Sequence, residues 1–189
     1  MRKLRVGFDL DGVILYNPAR ILRPVLHPLL TRSFGKKNLH FYKPQNKLSR
    51  FFWKLAHKSS LFPARGFTQL CRLIEDGDIE AYIISGRYRM LEDDFTSWTK
   101  KLNDHNSFSG IFFDEDDLEP HVFKRKMINQ LKLDVFVEDN WDIVQSLQDM
   151  TGKNIEVLWI SNVLDSAIGY RRKFFSLRSV VEYLKTKVK

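Results

Sequence analysis

RVGFDLDGVILYN, Arg5 to Asn17, sets an apolar run directly against two aspartates and a glycine. On an extended chain side chains alternate, so Asp9 and Asp11 project from the same side. Two carboxylates on one side repel each other unless a cation lies between them. The stretch therefore reads as a buried strand over residues 4–8 that ends in a cation-holding turn.

Four more apolar runs have strand length: AYII (81–84), GIFF (110–113), DVFV (134–137) and IEVLWI (155–160). Nearly continuous apolar runs are expected of a parallel sheet covered on both faces. Helical spacing separates them, through Leu91, Phe95, Trp98 and Leu102, then Phe123, Met127 and Leu131, then Ile143, Val144, Leu147 and Met150. A last helix carries Val180, Val181, Leu184 and Val188 on one face. Strands alternating with helices give an α/β fold, a Rossmann-like, doubly wound parallel sheet.

The link from the first strand to the second exceeds sixty residues, too long for a simple crossover. It is expected to form a small helical cap over 15–77, inserted into a core made of 1–14 and 78–189. Leu48, Phe51, Phe52 and Leu55 form an apolar helical stripe there, with Lys47, Arg50, Lys54 and Lys58 opposite. From Gly12 to Ile74 the chain has twelve Lys and Arg residues and no acid, whereas the remainder has nineteen basic and twenty-three acidic residues. A net charge of +8 thus conceals a strongly basic insert in a mildly acidic protein. Such an insert suits an anionic partner. Nine aromatics interleave with its cations, a pattern that can stack on bases and pair with phosphates. A helix basic on one side and apolar on the other equally suits an anionic membrane surface.

The single cysteine, Cys71, excludes an intramolecular disulfide or a cysteine-based metal cluster, and a reduced, cytoplasmic setting is expected. No apolar run approaches the ~20 residues of a membrane span. Aspartates fall where the apolar part of a signal peptide would stand. The five histidines show no metal-ligating spacing. The acidic run DEDDLE (114–119) reads as a solvated loop.

In open α/β sheets ligands gather beyond the carboxyl ends of the strands. Asp9 and Asp11 follow the first strand, Ser85 and Gly86 the second, and Glu138 and Asp139 the fourth. Lys124 is placed at the start of the helix leading to that strand. Carboxylates, a hydroxyl beside a glycine, and a lysine suit a magnesium ion and a phosphoryl group. In order, FDLDGV, IISGR, a downstream lysine and VFVEDN resemble the four motifs of the haloacid dehalogenase superfamily. The resemblance covers the predicted core, and the basic insert sits where that family places a cap. The overall size resembles its small nucleotidase-like members.

The resemblance implies roles. Asp9 would attack phosphorus and form an aspartyl phosphate. Asp11 would protonate the leaving oxygen and then activate water. Magnesium would bind the Asp9 carboxylate, the Asp11 backbone carbonyl and Asp139, with Glu138 acting through water. Ser85 and the Gly86 N–H would hold phosphoryl oxygens. Lys124 competes with Lys126 for the balancing charge, and the family spacing favours Lys124. Asp142 is either a residue behind the metal site or a cap for the next helix. Arg50, Lys54 and Lys58 are candidate anion contacts.

The expected function is magnesium-dependent phosphomonoester hydrolysis on a nucleotide or another highly phosphorylated small molecule. Alternatives are a phosphatase for nucleic-acid termini, and a non-catalytic nucleic-acid or membrane-binding protein on the same fold. Dehalogenation is disfavoured, because Asp11 supplies an acid that chemistry on carbon does not need.

Overall fold

A computed structural model of the chain describes residues 2–18, 31–34, 38–41, 43–57, 62–102, 108–150 and 155–188. Its centre is a six-stranded parallel sheet. The strands are β1 (Leu4–Phe8), β6 (Ile79–Tyr88), β7 (Gly110–Asp114), β8 (Val135–Glu138), β9 (Glu156–Ile160) and β10 (Lys173–Phe174). Their order is β10-β9-β8-β1-β6-β7, so the chain builds outward from β1 on one side and then returns to the other. β1 therefore pairs with both β6 and β8. The carboxyl ends of these three strands meet at the switch in strand order, where such sheets form a crevice.

Strict alternation explains the apolar runs. Val6, Phe8, Ile83, Val137 and Leu158 face one layer, with Leu70, Val180 and Leu184. Ile84, Phe136, Val157 and Trp159 face the other, with Phe123, Met127, Val144 and Leu147. The central strands β1, β8 and β9 are buried along most of their length on both faces, so few polar residues interrupt them.

The helices are α1 (Lys47–His57), α2 (Phe67–Glu75), α3 (Glu92–Leu102), α4 (Pro120–Leu131), α5 (Trp141–Ser146) and α6 (Leu177–Val188). α4 begins at Pro120, so Lys124 lies in its second turn rather than at its start. The short β6 expected at 81–84 runs on to Tyr88, taking Ser85 and Gly86 into the strand. Its register to β7 shifts between Ser85 and Tyr88.

The insert is pinched at its base. β2 (Leu15–Tyr16) pairs antiparallel with β5 (Phe62–Pro63), and the Ala64 N–H bonds the Ile14 carbonyl at 2.7 Å. Beyond this clip lie α1 and an antiparallel ribbon, β3 (Thr31–Phe34) with β4 (Asn38–Phe41). The cap thus contains strands as well as the expected helix. Its expected carboxyl boundary at residue 77 also moves inward. Leu70 and Leu73 of α2 are buried with β1 and α6, so α2 is a core helix.

Candidate active site

Asp9 leaves β1 with its N–H still bonded to the Val137 carbonyl at 3.0 Å, which keeps it beside β8. The chain then folds back tightly, with Ile14 and Leu15 N–H groups both donating to the Leu10 carbonyl. Gly12 takes φ +79° in this turn, and a Cβ there would stand 2.3 Å from Asp139 Oδ2. Gly12→Ala should therefore cost stability twice, roughly 1–2 kcal/mol for the left-handed backbone and about 1–3 kcal/mol for overpacking. A thermal melt checks the loss of stability. Displacement of the Asp139 carboxylate should appear separately as weaker activation by divalent ions.

Lys124 reaches across from α4, buried to 2% exposure. Its ammonium pairs with Glu138 Oε2 at 2.6 Å and Asp9 Oδ1 at 3.1 Å. Burial alone would lower the lysine's pKa, but Asp9 and Glu138 outweigh it and hold the ammonium charged. Lys126, its rival in sequence, is exposed and lies 3.6 Å from Asp116. Gly86 makes room for this approach, since a Cβ there would stand 2.9 Å from Pro120 and 3.5 Å from the Lys124 chain. Ser85 is buried beside it, its Oγ accepting the Arg87 N–H at 3.3 Å.

Glu138 is fully buried, and its other oxygen accepts the N–H groups of Asp139 and Asn140 at 3.2 and 3.0 Å. The Trp159 indole donates to the Asp139 carbonyl at 3.2 Å and so fixes this strand end. Asn140, rather than Asp142, caps α5: its side chain accepts the Asp142 N–H.

Carboxylate oxygens of Asp9, Glu138 and Asp139 lie within 4.8 Å of one another, and all three residues are buried. An oxygen-only set of this kind fits a hard divalent cation. Glu138 already serves Lys124 and two backbone donors, which leaves Asp9 and Asp139 as the side chains best able to ligate. Burial, reinforced by Glu138, Asp139 and Asp11 and opposed by Lys124, pushes the Asp9 carboxyl well above the usual carboxylate range. A bound cation would reverse that shift by favouring the charged form. The Asp11 side chain stands apart from the three. Both its oxygens take the Arg87 guanidinium, Oδ2 from Nε at 2.7 Å and Oδ1 from Nη2 at 2.8 Å. Sequence reading gave Arg87 no role; the one available signal was its place beside Ser85 and Gly86.

The acidic run 114–119 is not a free solvated loop. Asp117 takes the Arg89 N–H at 2.8 Å and pairs with Lys43 at 3.2 Å, while Glu119 accepts the Phe41 N–H at 2.9 Å. It docks the cap against the core. Within it, burial pushes the Asp114 carboxyl up to about 6 against the opposing N–H groups of Asp116 and Leu118. A raised folded-state pKa contributes stability at low pH that is lost as pH rises through about 6. Asp114→Asn should accordingly melt above wild type at neutral pH and lose that advantage below about pH 4. Melting curves across that range provide the check.

Arg50 and Lys54 are exposed on α1; Lys58 lies outside the described residues. Two of the insert's aromatics, Tyr16 and Phe62, stack on each other at 5.3 Å.

No family model and no curated protein match the sequence. Solved structures do match it. A haloacid dehalogenase-type hydrolase of family IA from Entamoeba histolytica aligns with TM-score 0.60 at 10% identity, over 96% of this chain and 99% of that one. The CbbY protein of Rhodobacter sphaeroides, crystallised with phosphate, aligns with TM-score 0.59 at 11% identity, over 95% and 96%. A variant of that protein was crystallised with xylulose-1,5-bisphosphate. A haloacid dehalogenase-superfamily hydrolase from Ehrlichia chaffeensis gives 0.53 at 14% identity, each chain covered completely. The chain has the fold of these hydrolases.

Proposed function

We propose that the chain is a magnesium-dependent phosphomonoester hydrolase working through an aspartyl phosphate on Asp9. The observation that supports this most is the buried cluster of Asp9, Lys124, Glu138 and Asp139 at the switch point, with Ser85 at the neighbouring strand. In the first step an Asp9 oxygen bonds to phosphorus as the bond to the leaving oxygen breaks, and Asp11 supplies that oxygen with a proton. In the second, water attacks phosphorus, Asp11 takes its proton, and phosphate departs with Asp9 restored. Ser85 and the Gly86 N–H hold equatorial oxygens, and Lys124 balances their charge. Magnesium held by Asp9, the Asp11 carbonyl and Asp139 would supply charge neutralisation on the transferring group.

The substrate class we favour is a nucleotide or another highly phosphorylated small molecule. The basic insert supports it, as does a fold neighbour seen with a bisphosphate. A cytoplasmic setting fits the single thiol, and among the described residues no helix is long and apolar enough to cross a membrane.

Hydrolysis of p-nitrophenyl phosphate with magnesium and with chelator is the first test; no magnesium-dependent turnover overturns the phosphatase reading. A panel of nucleotides, sugar phosphates and end-phosphorylated oligonucleotides then finds the preferred substrate. Its KM should rise steeply with salt if several phosphates meet the cap, while KM for the aryl phosphate barely moves. Arg50→Glu with Lys54→Glu should raise the first KM by about tenfold and leave the second nearly unchanged. Equal, shallow salt dependence of both would assign the basic cap to a membrane or a partner instead.

A further inference from the structure

The side chain of Asp11, a member of the proposed machinery, is held by a guanidinium with no stated task. Arg87 is enclosed, its side chain 1% exposed, and faces two carboxylates. Its Nε and Nη2 fork grips both oxygens of Asp11, and its Nη1 donates to Asp94 Oδ2 at 2.6 Å. Asp94 belongs to the first turn of α3, anchored to the core through Phe95. The register shift between Ser85 and Tyr88 falls where Arg87 leaves the ladder to β7, and irregularities of that kind re-aim side chains.

We infer that Arg87 is the positioning residue for Asp11, with Asp94 as its anchor, an inference that rests on the phosphatase reading. A bidentate fork fixes the plane of a carboxylate as well as its place, which a lysine cannot do. Asp11 sits in a turn next to a left-handed glycine, with its side chain 13% exposed. A proton donor that rotates misses the leaving oxygen, and misplacement by ~1 Å costs about 10²-fold. Three of the five N–H donors of the Arg87 guanidinium meet protein carboxylates and the side chain is only 1% exposed, so it is poorly placed to grip substrate directly. Ser85 Oγ, which accepts the Arg87 N–H, ties the same strand end to the phosphoryl-binding side.

The test separates the first step from the second by following leaving-group release before turnover. A poor leaving group such as phenol needs the Asp11 proton as the phosphorus–oxygen bond breaks; 2,4-dinitrophenol does not. Arg87→Lys should slow phenol release by about 10²-fold and dinitrophenol release by less than about fivefold, with little change in KM. Asp94→Asn should move the ratio the same way by roughly tenfold, because an amide oxygen anchors Arg87 less firmly. If Arg87→Lys melts far below wild type, Asp94→Asn, with its partly exposed side chain, decides the matter. Equal losses with both leaving groups, or a raised KM with an unchanged ratio, would overturn the inference and make Arg87 a brace or a substrate clamp. Wild type without magnesium-dependent release of either would sink the phosphatase reading and this inference with it.

Discussion

Asp9→Asn should lose turnover by on the order of 10⁴-fold or more while keeping the wild-type melting temperature. The amide preserves the shape of a residue only 7% exposed but removes the proposed nucleophile. Folding should tolerate it because burial already disfavours the charged form of this carboxyl. Lys124 would keep its shorter contact, 2.6 Å to Glu138. Near-normal magnesium-dependent hydrolysis by the variant would rule out covalent catalysis at this position.

Lys124→Ala should cut turnover by about 10³-fold, since a phosphoryl group in this site would lose its only buried ammonium counter-charge among the described residues. It should also destabilise. Glu138 is completely buried, and breaking a buried pair on one side costs about 3–5 kcal/mol. Lys124→Met with Glu138→Gln removes both charges and should recover much of the stability without recovering activity. That split separates the catalytic from the structural loss. Lys126→Ala should change neither, because its partner lies 3.6 Å away at an exposed site. An active Lys124→Ala beside a dead Lys126→Ala would show that the wrong face of α4 had been assigned to the site.

What could be read from the sequence was what is local. An apolar run ending in Asp9, and another ending in Glu138 and Asp139, announce strand ends because both the pattern and the chemistry lie within a few residues. Lys124 could be told from Lys126 by spacing within the resemblance, and helical periodicity agrees, since Phe123 and Met127 flank it on the buried face. The rest depended on partners far along the chain. Arg87 meets an aspartate 76 residues away, so its own neighbourhood reads as a turn. The run 114–119 looked solvated because its partners, Phe41 and Lys43, lie in the insert. The ribbon of β3 and β4 escaped notice because TRSF and NLHF mix polar and apolar residues and lack the apolar run that marks the core strands. α2 was assigned to the cap because a sequence shows an apolar stripe without showing which core it joins.

The most direct measurement is the mass of the Asp9-containing peptide after Asp11→Asn is mixed with dinitrophenyl phosphate and magnesium and quenched in acid. That leaving group needs no proton, so the first step proceeds, while loss of the base stalls the second. The expected result is one phosphoryl group on Asp9, accumulating in Asp11→Asn and missing from Asp9→Asn. Release of dinitrophenol with no phosphoryl group on that peptide, or with the group on another residue, would contradict an aspartyl-phosphate mechanism at Asp9.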